Sequence, residues 1–109
     1  MLSIVVMGGL GNQLFQVFTA IAYSMRNQIQ LILPRNKLDI QKRPSYWSNF
    51  LRHLTPLLTN DSPSHFITLS EKSHEYTEIP YIDQNFRLYG YFQSYKYFEN
   101  EFERICKII

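Results

Sequence analysis

Cysteine is almost missing from this chain: Cys106 is the only one. One thiol excludes an intrachain disulfide and a cysteine-rich metal site. With Ile105 and Ile108 beside it in an apolar helical context, Cys106 is expected to be buried rather than reactive. A lone thiol also fits a reducing compartment. Long apolar runs are missing too. None approaches the ~18 residues that a membrane span needs. The N-terminus has neither a charged n-region nor a long apolar h-region, so the expectation is a cytoplasmic protein without a signal peptide. Charge of one sign is scarce. A net charge of +2 gives no general case for nucleic acid or a membrane surface. Arg35, Lys37, Lys42, Arg43 and Arg52 fall in one stretch, which reads as a solvated surface, with phosphate contact as the alternative. The histidines, His53, His65 and His74, never pair at i+3 or i+4, so no metal-ligand spacing occurs. A Gly-x-Ser-x-Gly elbow is lacking. The carboxylates are scattered, and Glu75 and Glu78 read as surface.

What is present suffices for one domain. The chain has 109 residues, and hydrophobic residues make up 45% of it, enough to form a core. No repeat, low-complexity tract or linker divides it.

Glycine is rare but concentrated: of four glycines, three stand in Gly8-Gly9-Leu10-Gly11. Before them, Leu2 to Met7 is a short apolar run rich in β-branched residues, a buried-strand signal. After them, Leu14 to Asn27 carries Leu14, Phe18, Ile21, Ala22 and Met25 at helical spacing. Strand, glycine turn and helix follow one another. Such a loop can approach a ligand closely, and the helix behind it offers unpaired N–H groups and a positive dipole end to a phosphate or pyrophosphate. It is not a Walker loop, because no Gly-Lys-Ser/Thr occurs. It is not a dinucleotide fingerprint either, because counting from Gly9 the third glycine would fall at Leu14. The alternative is a structural turn in which Asn12 caps the helix.

Further along, Ile29 to Leu33 is a second strand ended by Pro34, which makes a βαβ unit with parallel pairing. Ser45 to Leu54 is expected to be helical, with Pro56 stopping it. Its aromatics, Tyr46, Trp47 and Phe50, are expected to face the core, with sugar stacking as the alternative. Phe66 to Leu69 is a short strand, and Ile79 to Ile82 is at best an edge strand. Phe86 to Phe92 is a strong strand in which Gly90 marks a bend or a close backbone approach. Ser94 is placed to cap a final helix with Phe98, Phe102, Ile105 and Ile109 on its apolar stripe.

Gly-Gly-Leu-Gly-Asn-Gln-Leu-Phe-Gln (Gly8 to Gln16), directly after an N-terminal strand, resembles the opening motif of the α-1,2-fucosyltransferases, glycosyltransferase family 11. Gly90-Tyr91-Phe92-Gln93-Ser94-Tyr95-Lys96-Tyr97-Phe98 resembles that family's Gly-Tyr-Phe-Gln-Ser-x-x-Tyr-Phe segment, and the blocks stand in the family's order. The resemblance implies an α/β fold, a Rossmann-like parallel-sheet half of a GT-B glycosyltransferase. It implies inverting, metal-independent transfer of fucose from GDP-fucose to a galactose-type hydroxyl, with a nucleotide sugar and a glycan acceptor as partners and no separate cofactor. Gly9, Gly11, Asn12 and Gln13 carry over as the donor-facing loop. Tyr91, Gln93 and Lys96 carry over as members of the second block that line the cleft. The family's His-x-Arg-Arg-Gly-Asp motif follows its second block, and no Arg-Arg pair occurs here. Residues 1–109 are therefore expected to be a single N-terminal domain without the C-terminal donor domain and with no complete catalytic apparatus. A complementary half or a full-length relative would then be a partner. The non-enzymatic alternatives are a phosphate- or carbohydrate-binding module and an interaction remnant.

Overall fold

A computed structural model describes residues 1–34, 52–59, 66–73 and 75–108. The fold is mixed α/β. Strand β1 (Leu2–Ile4) opens the chain, helix α1 (Leu10–Asn27) follows it, and two short strands, β2 (Leu33–Pro34) and β3 (Leu58–Thr59), pair with each other. Strand β4 (Ile67–Ser70), strand β5 (Phe86–Tyr89) and helix α2 (Phe102–Ile108) complete it. A three-stranded parallel sheet has the order β1-β5-β4. Its register sets Leu2 and Ile4 beside Phe86 and Leu88, all four fully buried, and Ile67 and Leu69 continue the row on β4.

The βαβ expectation holds in its direction. Leu2 N–H donates to the Gln30 carbonyl at 2.8 Å, and Ile32 N–H donates to the Leu2 carbonyl at 2.9 Å, a parallel bridge between Leu2 and Leu31. The chain thus returns to β1 on one edge while β5 occupies the other. The expected strand from Ile29 to Leu33 is replaced by this bridge and the two-residue β2.

Helix α1 begins at Leu10, four residues before the apolar pattern starts, and runs 18 residues. Its deepest face is Gln13, Gln16, Val17, Ala20 and Tyr23; Leu14, Phe18 and Met25, expected on that face, are partly buried at the margin of the core. It ends at Gln28 in the left-handed region (φ 54°), whose N–H returns to the Ser24 carbonyl.

Two expected elements take other forms. Residues 45–51 of the expected helix, with Tyr46, Trp47 and Phe50, lie outside the described residues. Arg52–Leu57 is a 3-10 turn with Pro56 inside it rather than beyond it. The fixed φ of proline suits a 3-10 turn, whereas its ring and missing N–H break an α-helix. Leu54 in this turn is buried, as expected of a core-facing side chain. Ile79 to Ile82 forms no strand. Tyr23 pins it instead: its hydroxyl donates to the Pro80 carbonyl at 2.7 Å and accepts from Ile82 N–H at 3.2 Å.

At the C-terminal end, Ser94 caps a 3-10 turn (Tyr95–Tyr97) rather than the helix, accepting from Lys96 N–H. Phe98 and Ile105 are buried, but Phe102 is exposed, and Cys106 is exposed rather than buried. Helix α2 has only seven residues and packs chiefly through Ile105, so the position next to it faces out. Phe98 also closes a ring cluster with Phe15 and Phe18 at centroid distances of 5.8 and 5.4 Å. Glu101 is buried and paired with Arg26 at 3.6 Å. Arg26 in turn donates to the Tyr97 carbonyl. Among the described residues no helix is long and apolar enough to cross a membrane.

Candidate functional site

In a parallel sheet, ligands meet the loops at the C-terminal ends of the strands, where the connections diverge to opposite sides. Here β1 is flanked by the bridge to Leu31 on one side and β5 on the other. The loops at that end are Val5 to Gly9 and Gly90 to Ser94, which carry the two sequence motifs.

The strand signal from Leu2 to Met7 stops early for an identifiable reason. Val5 N–H still donates to the Leu88 carbonyl at 2.9 Å. Met7 N–H turns away from the sheet and donates to the Gln16 side-chain oxygen at 2.9 Å. Gln13 donates its side-chain N–H to the Gly8 carbonyl, also at 2.9 Å. Both glutamines are fully buried. A backbone group taken out of the ladder must find another partner, and the first helical turns supply it. Gly8 sits at φ +86°, and a Cβ there would stand 2.7 Å from the Asn12 side-chain nitrogen. Glycine is required at that position for its backbone and for its space.

Gly9 is the N-cap residue, in an extended conformation and with no side chain capping it. Asn12 is the third residue inside the helix and does not cap it, contrary to that alternative. The N–H groups of Leu10, Gly11 and Asn12 therefore belong to the first turn, ahead of the first helical acceptor. Gln13 N–H is the first to find one, the Gly9 carbonyl at 3.0 Å. Gly11 is exposed, and a Cβ on it would meet nothing within 4 Å. The first turn carries no acidic side chain. An anion approaching it meets backbone donors and the positive helix end without carboxylate repulsion.

The second motif reaches this loop through Gln93. Its side-chain N–H donates to the Asn12 side-chain oxygen at 2.5 Å. Tyr91 is half-buried, and its N–H is held by the Glu71 carboxylate at 3.1 Å. Lys96 is exposed in the following 3-10 turn. Of the candidate residues, then, Gly9, Gly11, Asn12 and Gln93 converge at one end of the sheet. Gln13 lies beneath them as a buried support rather than a surface contact.

Sequence reasoning missed Gln16 and Glu71 as parts of this end. Gln16 carried one available signal, a polar residue three after Gln13 on a helix face that is mostly apolar. Glu71 carried none. Glu75 and Glu78 are exposed, as expected, and His53 is exposed too; His65 and His74 lie outside the described residues, as do Arg35, Lys37, Lys42 and Arg43. Among the described residues no group of three or more His, Cys, Asp or Glu could hold a metal ion.

Two tyrosines have hydroxyls that resist ionisation. Burial pushes the Tyr23 phenol above its ordinary value, against the opposing hydrogen bond from Ile82 N–H. Burial does the same at Tyr97, opposed by the bond from Thr77 N–H and reinforced by the negative charge of Glu71. Comparison of the chain with protein-family models, with curated proteins and with solved structures found no match.

Proposed function

We propose that the chain binds the pyrophosphate of a nucleotide sugar at the Gly8–Asn12 loop, as the N-terminal, Rossmann-like half of a GT-B glycosyltransferase of the α-1,2-fucosyltransferase type. One observation carries this reading: Gln93 of the second motif hydrogen-bonds Asn12 of the first at the C-terminal ends of β1 and β5. Two motifs far apart in sequence share one place, and that place offers the first-turn N–H groups of an 18-residue helix. Asn12 and Gln93 add side-chain amides able to meet sugar or phosphate oxygens. The donor is GDP-fucose and the acceptor a galactose-type hydroxyl, both on the strength of the resemblance.

Transfer itself needs positive charge against the departing GDP. The Arg-Arg pair that would supply it does not occur in this chain. First-turn N–H groups suffice for anion contact without any transfer, which gives a second reading, a phosphate- or carbohydrate-binding module that makes the contact without the reaction. Calorimetric titration with GDP and GDP-fucose tests the shared element. Binding tighter than about 100 μM, roughly −5.5 kcal/mol, is the expected result. No heat of binding from a chain shown to be folded by circular dichroism overturns it. Fucose transfer to lactose, with and without a separately supplied C-terminal half, then separates enzyme from module.

A further inference from the structure

Glu71 directly follows β4, in a segment whose sequence shows no periodicity. Its N–H extends the ladder by donating to the Tyr89 carbonyl at 2.8 Å. Its two carboxylate oxygens accept separately from Tyr91 N–H and Phe92 N–H, each at 3.1 Å. The fit is close, because a Cβ on Gly90 would stand 2.4 Å from the Glu71 Cβ. Phe92 takes a positive φ of 51°, and Ser94 N–H donates to the Phe92 carbonyl at 2.9 Å. Strand β5 therefore ends in a bent turn with two consecutive N–H groups off the ladder, and one ionised side chain satisfies both. Charge-assisted bonds of this kind are the strong ones. The next residue is Gln93, which holds Asn12.

We infer that Glu71 is a positioning residue for the glycine loop. By fixing the backbone at Tyr91 and Phe92 it sets Gln93 where its amide reaches Asn12. The path runs from the end of β4, through the turn after β5, to the first turn of α1. Glu71 itself acts only through these groups. The ligand half of the test rests on the function proposed above; the spectroscopic half does not.

Glu71→Gln is nearly isosteric but replaces one acceptor oxygen with an NH2 group, which meets a backbone N–H donor to donor. The readouts are the Gln93 and Asn12 side-chain amide signals in nitrogen-15 NMR and GDP titration of Glu71→Gln, Gln93→Ala and the double variant. The Gln93 amide is expected to move to the position of a solvent-exposed glutamine in Glu71→Gln. Gln93→Ala is expected to weaken GDP binding about fivefold, the worth of one ordinary hydrogen bond. Added to Glu71→Gln it is expected to cost nothing more, since both changes break the same link. Unmoved Gln93 signals in folded Glu71→Gln, or additive losses of affinity, overturn the inference. If Glu71→Gln does not fold, Glu71→Asp, which withdraws the same two oxygens by one methylene, is read the same way. A wild-type chain that binds no GDP overturns the ligand reading, and the amide signals alone then decide the role of Glu71.

Discussion

Gln93 donates a hydrogen bond to Asn12 across 81 positions of sequence, and that bond joins the turn after β5 to the first turn of α1. Both residues stand at the C-terminal edge of the parallel sheet, where β1 and β5 are neighbours. The buried glutamines Gln13 and Gln16 fix the other side of the same loop by holding Gly8 and Met7. The glycine loop is thus braced from beneath by α1 and from the side by the second motif.

Gly11 separates a structural requirement from a ligand requirement. Its Cβ position is open, and it lies inside a helix. Gly11→Ala is expected to stabilise the fold, by up to about 1 kcal/mol, because alanine favours the helix. Gly11→Val should keep the fold and lose GDP, since its branches would stand over the first-turn N–H groups. Thermal melts and titration of both variants check this. Undiminished GDP affinity in Gly11→Val would remove the loop as the binding site.

Gln16→Ala is expected to destabilise the chain by about 3 kcal/mol, combining a cavity with the loss of the only side-chain acceptor described for Met7 N–H. Urea unfolding measures the loss, which should appear in the midpoint and not in the slope. Hydrogen exchange at the Met7 amide should accelerate in the same variant. A protected Met7 amide in Gln16→Ala would show that another group takes over.

Gln28 ends α1 at φ 54° and ψ 47°, a conformation in which a side chain is strained. Gln28→Gly relieves that strain, and a gain of up to about 1 kcal/mol is expected, less the entropy that glycine adds to the unfolded chain. In a domain of this size the gain corresponds to a rise of about 4 °C in Tm. An unchanged or lower Tm would contradict it.

Alkaline pH is expected to unfold the chain earlier than surface tyrosines alone would. Burial raises the Tyr23 and Tyr97 phenols above the ordinary value of 10.0. The unfolded chain then releases those protons at a lower pH than the folded chain. Stability is fully present below pH 10 and falls as pH rises from there through the folded values. Tyr23→Phe should lower stability at neutral pH by about 1 kcal/mol, through its bonds to Pro80 and Ile82, and should flatten the alkaline slope. Urea midpoints between pH 8 and 11 measure both effects. An alkaline slope as steep in Tyr23→Phe as in wild type would assign it elsewhere.

Local chemistry alone determined several features of this protein. The apolar run from Leu2, the glycines after it and the helical spacing behind them specify strand, turn and helix, because each depends on neighbours a few residues apart. Gly90 marked a close backbone approach for a similar reason, here that of Glu71, although the strand expected to run on to Phe92 stops at Tyr89. Tertiary structure decided the rest. The order β1-β5-β4 rests on parallel pairings between distant segments, which no local pattern encodes. Cys106 faces out because α2 is short and buries only Ile105 fully, although its apolar neighbours pointed inward. Gln13 and Gln16 face inward because two backbone groups leave the ladder beside them, and those groups are visible only once β1 has a sheet to leave. Glu71 matters because the fold turns two N–H groups of a distant loop towards one carboxylate, and no residue near it in sequence announces that demand.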